Sequence, residues 1–187
     1  DQLLDLQGGI EGDEKQLMPD ELHFIVVHQT FELWFKMIIR EIELARDHLS
    51  APLVPDDQIP YVVHHLRRVN TILELLVDQF QVMETLTPQD FLAFRDKLVP
   101  ASGFQSFQLR EIEIMLGLES SDRKDTGFGD PLAHIRNRAK ESKVAGSAWK
   151  KLVAALDTPS LRQTLGTWLY RTPIYASNPG TDNDAEV

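Results

Sequence analysis

The sequence predicts an all-α protein, a helical bundle with side elements, and two periodic stretches carry that expectation. Phe24, His28, Phe31, Phe35, Ile38, Ile42, Ala45 and Leu49 step by four and three residues, the stripe a helix turns toward a core. Val62, Leu66, Val69, Leu73, Leu76, Phe80 and Met83 repeat the same step over a second stretch, as a seam packing on the first helix. No stretch alternates in the way a strand of consequence needs.

Each element has a local reason. Residues 1–18 carry Gly8, Gly9 and Gly12 among charges and read as an arm or loop. Pro19 and Asp20 start the first helix, since proline loses nothing in the first turn and an acid there meets the positive end of the dipole. It runs to about Ser50, where Ala51-Pro52-Leu53-Val54-Pro55 breaks it. Thr87-Pro88-Gln89-Asp90 supplies a capping threonine, a first-turn proline and an acid three residues after the cap, so a short helix follows to about Leu98. Pro100, Ser102 and Gly103 end it. A fourth helix spans Phe104 to Leu116, closed by Gly117. Residues 118–130 form a polar loop, weaker helices occupy about 131–143 and 147–156, and Thr158-Pro159 begins a last helix to about Arg171. The bundle domain is thus 19–172, and 173–187, rich in Asn, Pro, Gly and Asp, is a disordered tail.

Composition narrows the function. Apolar residues make up 42% and charged residues 26% of 187, the balance of a globular protein with a substantial core. A formal charge of −10 argues against nucleic acid or an anionic membrane as partner. Without cysteine there are no disulfides or thiolate metal sites, and a cytoplasmic setting is expected. No apolar run reaches the roughly 20 residues of a membrane span. Glycine-rich phosphate loops, GxSxG, HExxH and EF-hand loops are absent. The chain opens at Asp1-Gln2-Leu3-Leu4 like the interior of a longer protein.

Two side chains stand out against this background. His28 occupies an inward position where the pattern asks for Leu or Ile. Burying an imidazole without a partner costs about 1–3 kcal/mol, so something meets it: a backbone carbonyl, Glu32 one turn on, or a ligand. Phe91 and Arg95 are four apart and share a face. Arg95 is either a planar clamp for a carboxylate or a surface arginine paired with Asp90 or Asp96. His64 and His65 lie off the seam and point apart, which makes a poor metal pair and suits solvated histidines.

Taken together, these places resemble the tryptophan 2,3-dioxygenase family. Glu21-Leu22-His23-Phe24-Ile25-Val26-Val27-His28-Gln29-Thr30-Phe31-Glu32-Leu33-Trp34-Phe35-Lys36 is similar to its (E/D)-(L/M)-x-F-I-x-x-H-Q-x-x-E-L-W-x-K signature. Met83-Glu84-Thr85-Leu86-Thr87-Pro88 resembles its LETLTP stretch. Phe91-Leu92-Ala93-Phe94-Arg95-Asp96, followed by Pro100-Ala101-Ser102-Gly103-Phe104-Gln105-Ser106, is similar to its aromatic-x-x-F-R and S-G-F-Q-S block. The resemblance runs from residue 1 to about 175.

The resemblance implies a bundle of the tryptophan/indoleamine dioxygenase type, homotetrameric, with ferrous haem b. Such enzymes insert both atoms of O2 across the indole C2–C3 bond of L-tryptophan to give N-formylkynurenine. It implies that Phe24 packs on the indole, that His28 meets the indole N–H and that Phe91 takes the other side. Arg95 would hold the substrate carboxylate and Ser102 would lie by the haem edge. The family's axial histidine, its Gly-Thr-Gly-Gly loop and its tyrosine-containing N-terminal arm have no counterpart between Asp1 and Val187. None of His23, His48, His64, His65 or His134 matches the axial position, so the iron ligand stays unassigned. Two other readings stand beside this one: a relative oxidising a modified indole, and a helical module without haem.

Overall fold

The computed structural model of the chain describes residues 2–98, 106–118, 131–140 and 143–172. All of their regular structure is helical. Helix α1 is Glu21–Leu49, α2 Ile59–Met83, α3 Pro88–Phe94, α4 Phe107–Leu116, α5 Pro131–Arg138, α6 Lys143–Leu156 and α7 Leu161–Arg171. A 3-10 turn, Arg95–Leu98, continues α3, and two more lie in the arm at Gln2–Asp5 and Glu14–Gln16. None of the described helices is long and apolar enough to cross a membrane.

α1 is the central element, packing against α2, α4 and α7, while α4 also packs on α6. The main core gathers Ile38 and Ile42 of α1, Val69, Ile72 and Leu76 of α2, and Ile112, Ile114 and Met115 of α4, with Leu152 of α6. A smaller cluster at the far end holds Ala45, Leu49 and Val62, with Trp168 of α7 against it. Here Arg171 donates to the carbonyls of Leu49 and Ala51 at 2.6 and 2.5 Å, closing the C-terminal end of α1 that lacks intrahelical partners.

Local chemistry shifts several boundaries from those the sequence predicts. Ser106 caps α4, its hydroxyl accepting from the Leu109 N–H, so that helix begins at Phe107 and not at Phe104. Gly117 ends it as expected, at φ 89°, a left-handed conformation that costs glycine nothing. α7 begins behind Ser160, which forms a reciprocal capping box with Gln163, rather than at Thr158-Pro159. α6 starts earlier than expected, at Lys143. The expected loop lies mostly outside the described residues, at 119–130, as does the expected tail from 173.

The face of α2 is corrected by about one residue. Val62, Val69 and Leu76 are buried as predicted, but the seam is completed by His65 and Ile72, while Leu73 and Phe80 are exposed. His65, expected in solvent, is 7% exposed. Its partner explains this. Nδ1 lies 2.5 Å from the carboxylate of Glu41, itself buried on α1, and Arg68 donates to the other Glu41 oxygen at 2.8 Å. Burial raises the Glu41 pKa, but hydrogen bonds from His65 and Arg68 and the arginine charge outweigh it and leave it below 4.5.

Candidate active site at the head of the first helix

The first turns of α1 and the short α3 meet through rings. Phe24 stacks on His28 at 4.0 Å between centroids and lies 5.7 Å from Phe91 and 5.6 Å from Phe94. Phe91 and Phe94 meet edge to face at 5.6 Å. Separations of this size are those at which aromatic pairs attract beyond simple burial. Phe94 is 1% exposed and anchors the cluster, whereas Phe24, His28 and Phe91 are half-buried. The Arg95 guanidinium sits 5.6 Å from the Phe91 centroid. Four of the sequence-predicted residues, Phe24, His28, Phe91 and Arg95, therefore form one continuous cluster; Ser102 lies outside the described residues.

Glu32 and Asp90, the carboxylates the sequence offers to His28 and Arg95, are engaged elsewhere. Glu32 accepts a hydrogen bond from Gln108 at 2.6 Å, and its backbone carbonyl takes the same amide at 2.9 Å. His28 instead pairs with the Phe24 carbonyl, Nδ1 to O 2.8 Å. A carbonyl only accepts, so Nδ1 carries the proton and Nε2 of the neutral ring presents a lone pair. Asp90 is engaged by the helix cap, its N–H donating to the Thr87 hydroxyl at 3.2 Å and its carboxylate accepting from that hydroxyl at 2.5 Å. Among the described residues Arg95 forms no ion pair with Asp90 or Asp96, and its guanidinium is exposed.

A family model described as tryptophan 2,3-dioxygenase matches residues 1–178 of this chain. The chain belongs to the tryptophan 2,3-dioxygenase family. Among curated members, tryptophan 2,3-dioxygenase 2 of Ralstonia nicotianae is 46% identical over 182 residues, 95% of this chain and 48% of the relative. Tryptophan 2,3-dioxygenase of Sorangium cellulosum is 46% identical over 180 residues, 95% of this chain and 43% of the relative. That of Alteromonas mediterranea is 41% identical over 170 residues, covering 91% and 44%. The chain thus spans about half the length of the curated relatives it matches.

Phe31 continues the half-buried face of α1 beyond His28 and packs 5.2 Å from Phe80 of α2, against the main core. The half-buried rings at this end of α1 are surface of the kind a haem macrocycle would pack on, and the iron ligand stays unassigned. His65 is committed to Glu41 and His64 Nε2 to Arg68 at 2.8 Å, and no group of three or more His, Cys, Asp or Glu among the described residues is placed to hold a metal.

Sequence reasoning passed over Phe94 and Gln108. Phe94 stands three residues after Phe91, so helical spacing alone places both rings on neighbouring faces. Gln108 has no local signal, because its partner Glu32 is 76 residues away.

Proposed function

We propose that the protein is a haem-dependent dioxygenase that inserts O2 across the indole C2–C3 bond of L-tryptophan to give N-formylkynurenine. The observation that carries this reading is the joining of half-buried Phe24, His28 and Phe91 with exposed Arg95 in one cluster, His28 Nε2 having no hydrogen-bond partner among the described residues. The names borne by the matching relatives support it.

In this reading residues 19–172 form the helical dioxygenase domain with 1–18 as an arm against it, the cofactor is haem b and the protein is a cytoplasmic homotetramer. The assembly and setting rest on the family resemblance. Phe24 and Phe91 hold the flat indole. The indole N–H donates to His28 Nε2, the only polarity open to a ring whose Nδ1 hydrogen is given to the Phe24 carbonyl. Arg95 takes the substrate carboxylate, for which a planar fork of donors is the natural partner. These contacts orient the reacting C2–C3 edge. A bound ferrous haem would supply the activation of dioxygen; that Ser102 lies at its edge is what the family resemblance implies.

Full-length protein loaded with haem is expected to form N-formylkynurenine from L-tryptophan, followed by its absorbance. Arg95→Ala should raise KM roughly ten- to a hundredfold, the loss of a charge-assisted hydrogen bond pair. His28→Ala should lower kcat/KM by a similar factor. Full activity in both variants would remove the assigned roles.

A further inference from the structure

Glu21 is the first residue of α1, yet its side chain is 2% exposed. A carboxylate so deeply buried needs partners, and it draws them from two other segments. Lys97 of the 3-10 turn donates to it at 3.3 Å, and the Met18 backbone N–H at 3.1 Å. Gly9 closes the arm over it. A Cβ there would lie 3.3 Å from the Glu21 oxygen and 2.7 Å from Leu17, and φ is +63°. A glycine is required at that approach.

Among the described residues, Lys97 to Glu21 is the hydrogen bond that ties Pro88–Leu98 to α1; ring packing of Phe24 on Phe91 and Phe94 makes the rest of the joint. The turn geometry gives the pair a function. At about 120° per residue in a 3-10 turn, positions two apart point about 120° away from each other, so Lys97 reaches inward to Glu21 while Arg95 stays exposed over Phe91. We propose that the Glu21–Lys97 pair, buried at its carboxylate and part-exposed at its lysine, is a positioning device that fixes the turn carrying Arg95 relative to His28, and so sets where a substrate carboxylate is held. The inference rests on the reading of Arg95 as the carboxylate anchor. Neither Glu21 nor Lys97 touches the substrate in this arrangement.

The test compares Kd values of L-tryptophan and of tryptamine, which lacks the carboxylate, by calorimetry on the full-length holoenzyme. Lys97→Met should weaken L-tryptophan about tenfold or more, since misplacing an anchor by an ångström is enough to do so, and leave tryptamine within about twofold. Lys97→Arg, which keeps the charge and reach, should stay within about twofold of wild type for both. Equal weakening of both ligands by Lys97→Met would mean a general structural role and overturn the proposal. Wild-type L-tryptophan affinity in Lys97→Met, with affinity lost in Arg95→Ala, overturns the positioning role of the pair and spares the anchor. Unchanged affinity in Arg95→Ala overturns the anchor and the positioning role together.

Discussion

Along α1, Ile38, Ile42, Ala45 and Leu49 are at most 2% exposed, whereas Phe24, His28, Phe31 and Phe35 on the same stripe are half-buried. One spacing therefore serves two ends. Toward the C-terminus it meets α2, α4 and α7 with small and branched aliphatics; toward the N-terminus its first turns also meet the seven-residue α3 and the arm, and carry rings and an imidazole. Each half also buries one carboxylate. Glu41 is bonded to two side chains of one neighbouring helix, whereas Glu21 joins an arm and a turn. Within one helix, the covered half holds the fold together, and the half left partly open keeps surface on which a ligand can form contacts.

The largest expected effect separates those halves. Ile42→Ala removes a fully buried side chain from the main core and should destabilise the protein by about 2–5 kcal/mol. Phe24→Ala takes more atoms from a half-buried site and should cost less in stability, while weakening L-tryptophan by roughly tenfold or more. Urea unfolding and ligand calorimetry on the same two variants read both quantities. Equal stability losses would erase the distinction between the halves.

Glu41 gives the next effect, and it depends on pH. Its folded pKa lies below 4.5, so the ionised form is the one the fold prefers. The stabilisation is fully present above about pH 4.5 and is lost as pH falls through the lower folded value. Glu41→Gln should therefore flatten the acid limb of a Tm profile and destabilise the fold at neutral pH by about 1–3 kcal/mol, the cost of a buried charge pair left incomplete. A Glu41→Gln profile parallel to wild type down to pH 3 would show that the His65–Glu41–Arg68 network does not stabilise through its charge.

Much of this was legible in the sequence. The helical class, the stripe of α1, the Thr87 cap and the Gly117 stop follow from local spacing and cap chemistry, whose causes lie within four residues. The bringing together of His28 and Arg95 was reachable only through resemblance, because no local rule joins positions 67 residues apart. His65 was misplaced for a related reason. Periodicity ranks a histidine as polar and turns it outward, and only the presence of Glu41 across the helix pair, 24 residues earlier, makes its burial favourable. Lys97 reads as a surface lysine for the same cause, its partner being 76 residues away. Pairwise polar contacts between elements carry no period, so they stay hidden until the elements are packed.

The smallest effect comes from a third buried carboxylate, which differs from the other two in having no hydrogen-bond partner among the described residues. Glu111 of α4 is 9% exposed and lines a groove of about 540 Å³ with Ile39 and Arg40 of α1, Met115, and Lys151 of α6. Burial raises its pKa; Lys151 offsets part of the rise and Glu43 adds to it. The sign is opposite to that of Glu41. A carboxyl with a raised folded pKa contributes fully below about pH 4.5, and that contribution is lost as pH rises through the folded value. Glu111→Gln keeps the shape and cannot ionise, so it should raise Tm at pH 7 by about 1–2 °C and leave it unchanged near pH 4. The groove admits solvent and two charges screen the site, which keeps the shift small. A Glu111→Gln protein less stable than wild type at pH 7 would mean that the ionised carboxylate is held by Lys151 as firmly as Glu41 is held by His65 and Arg68.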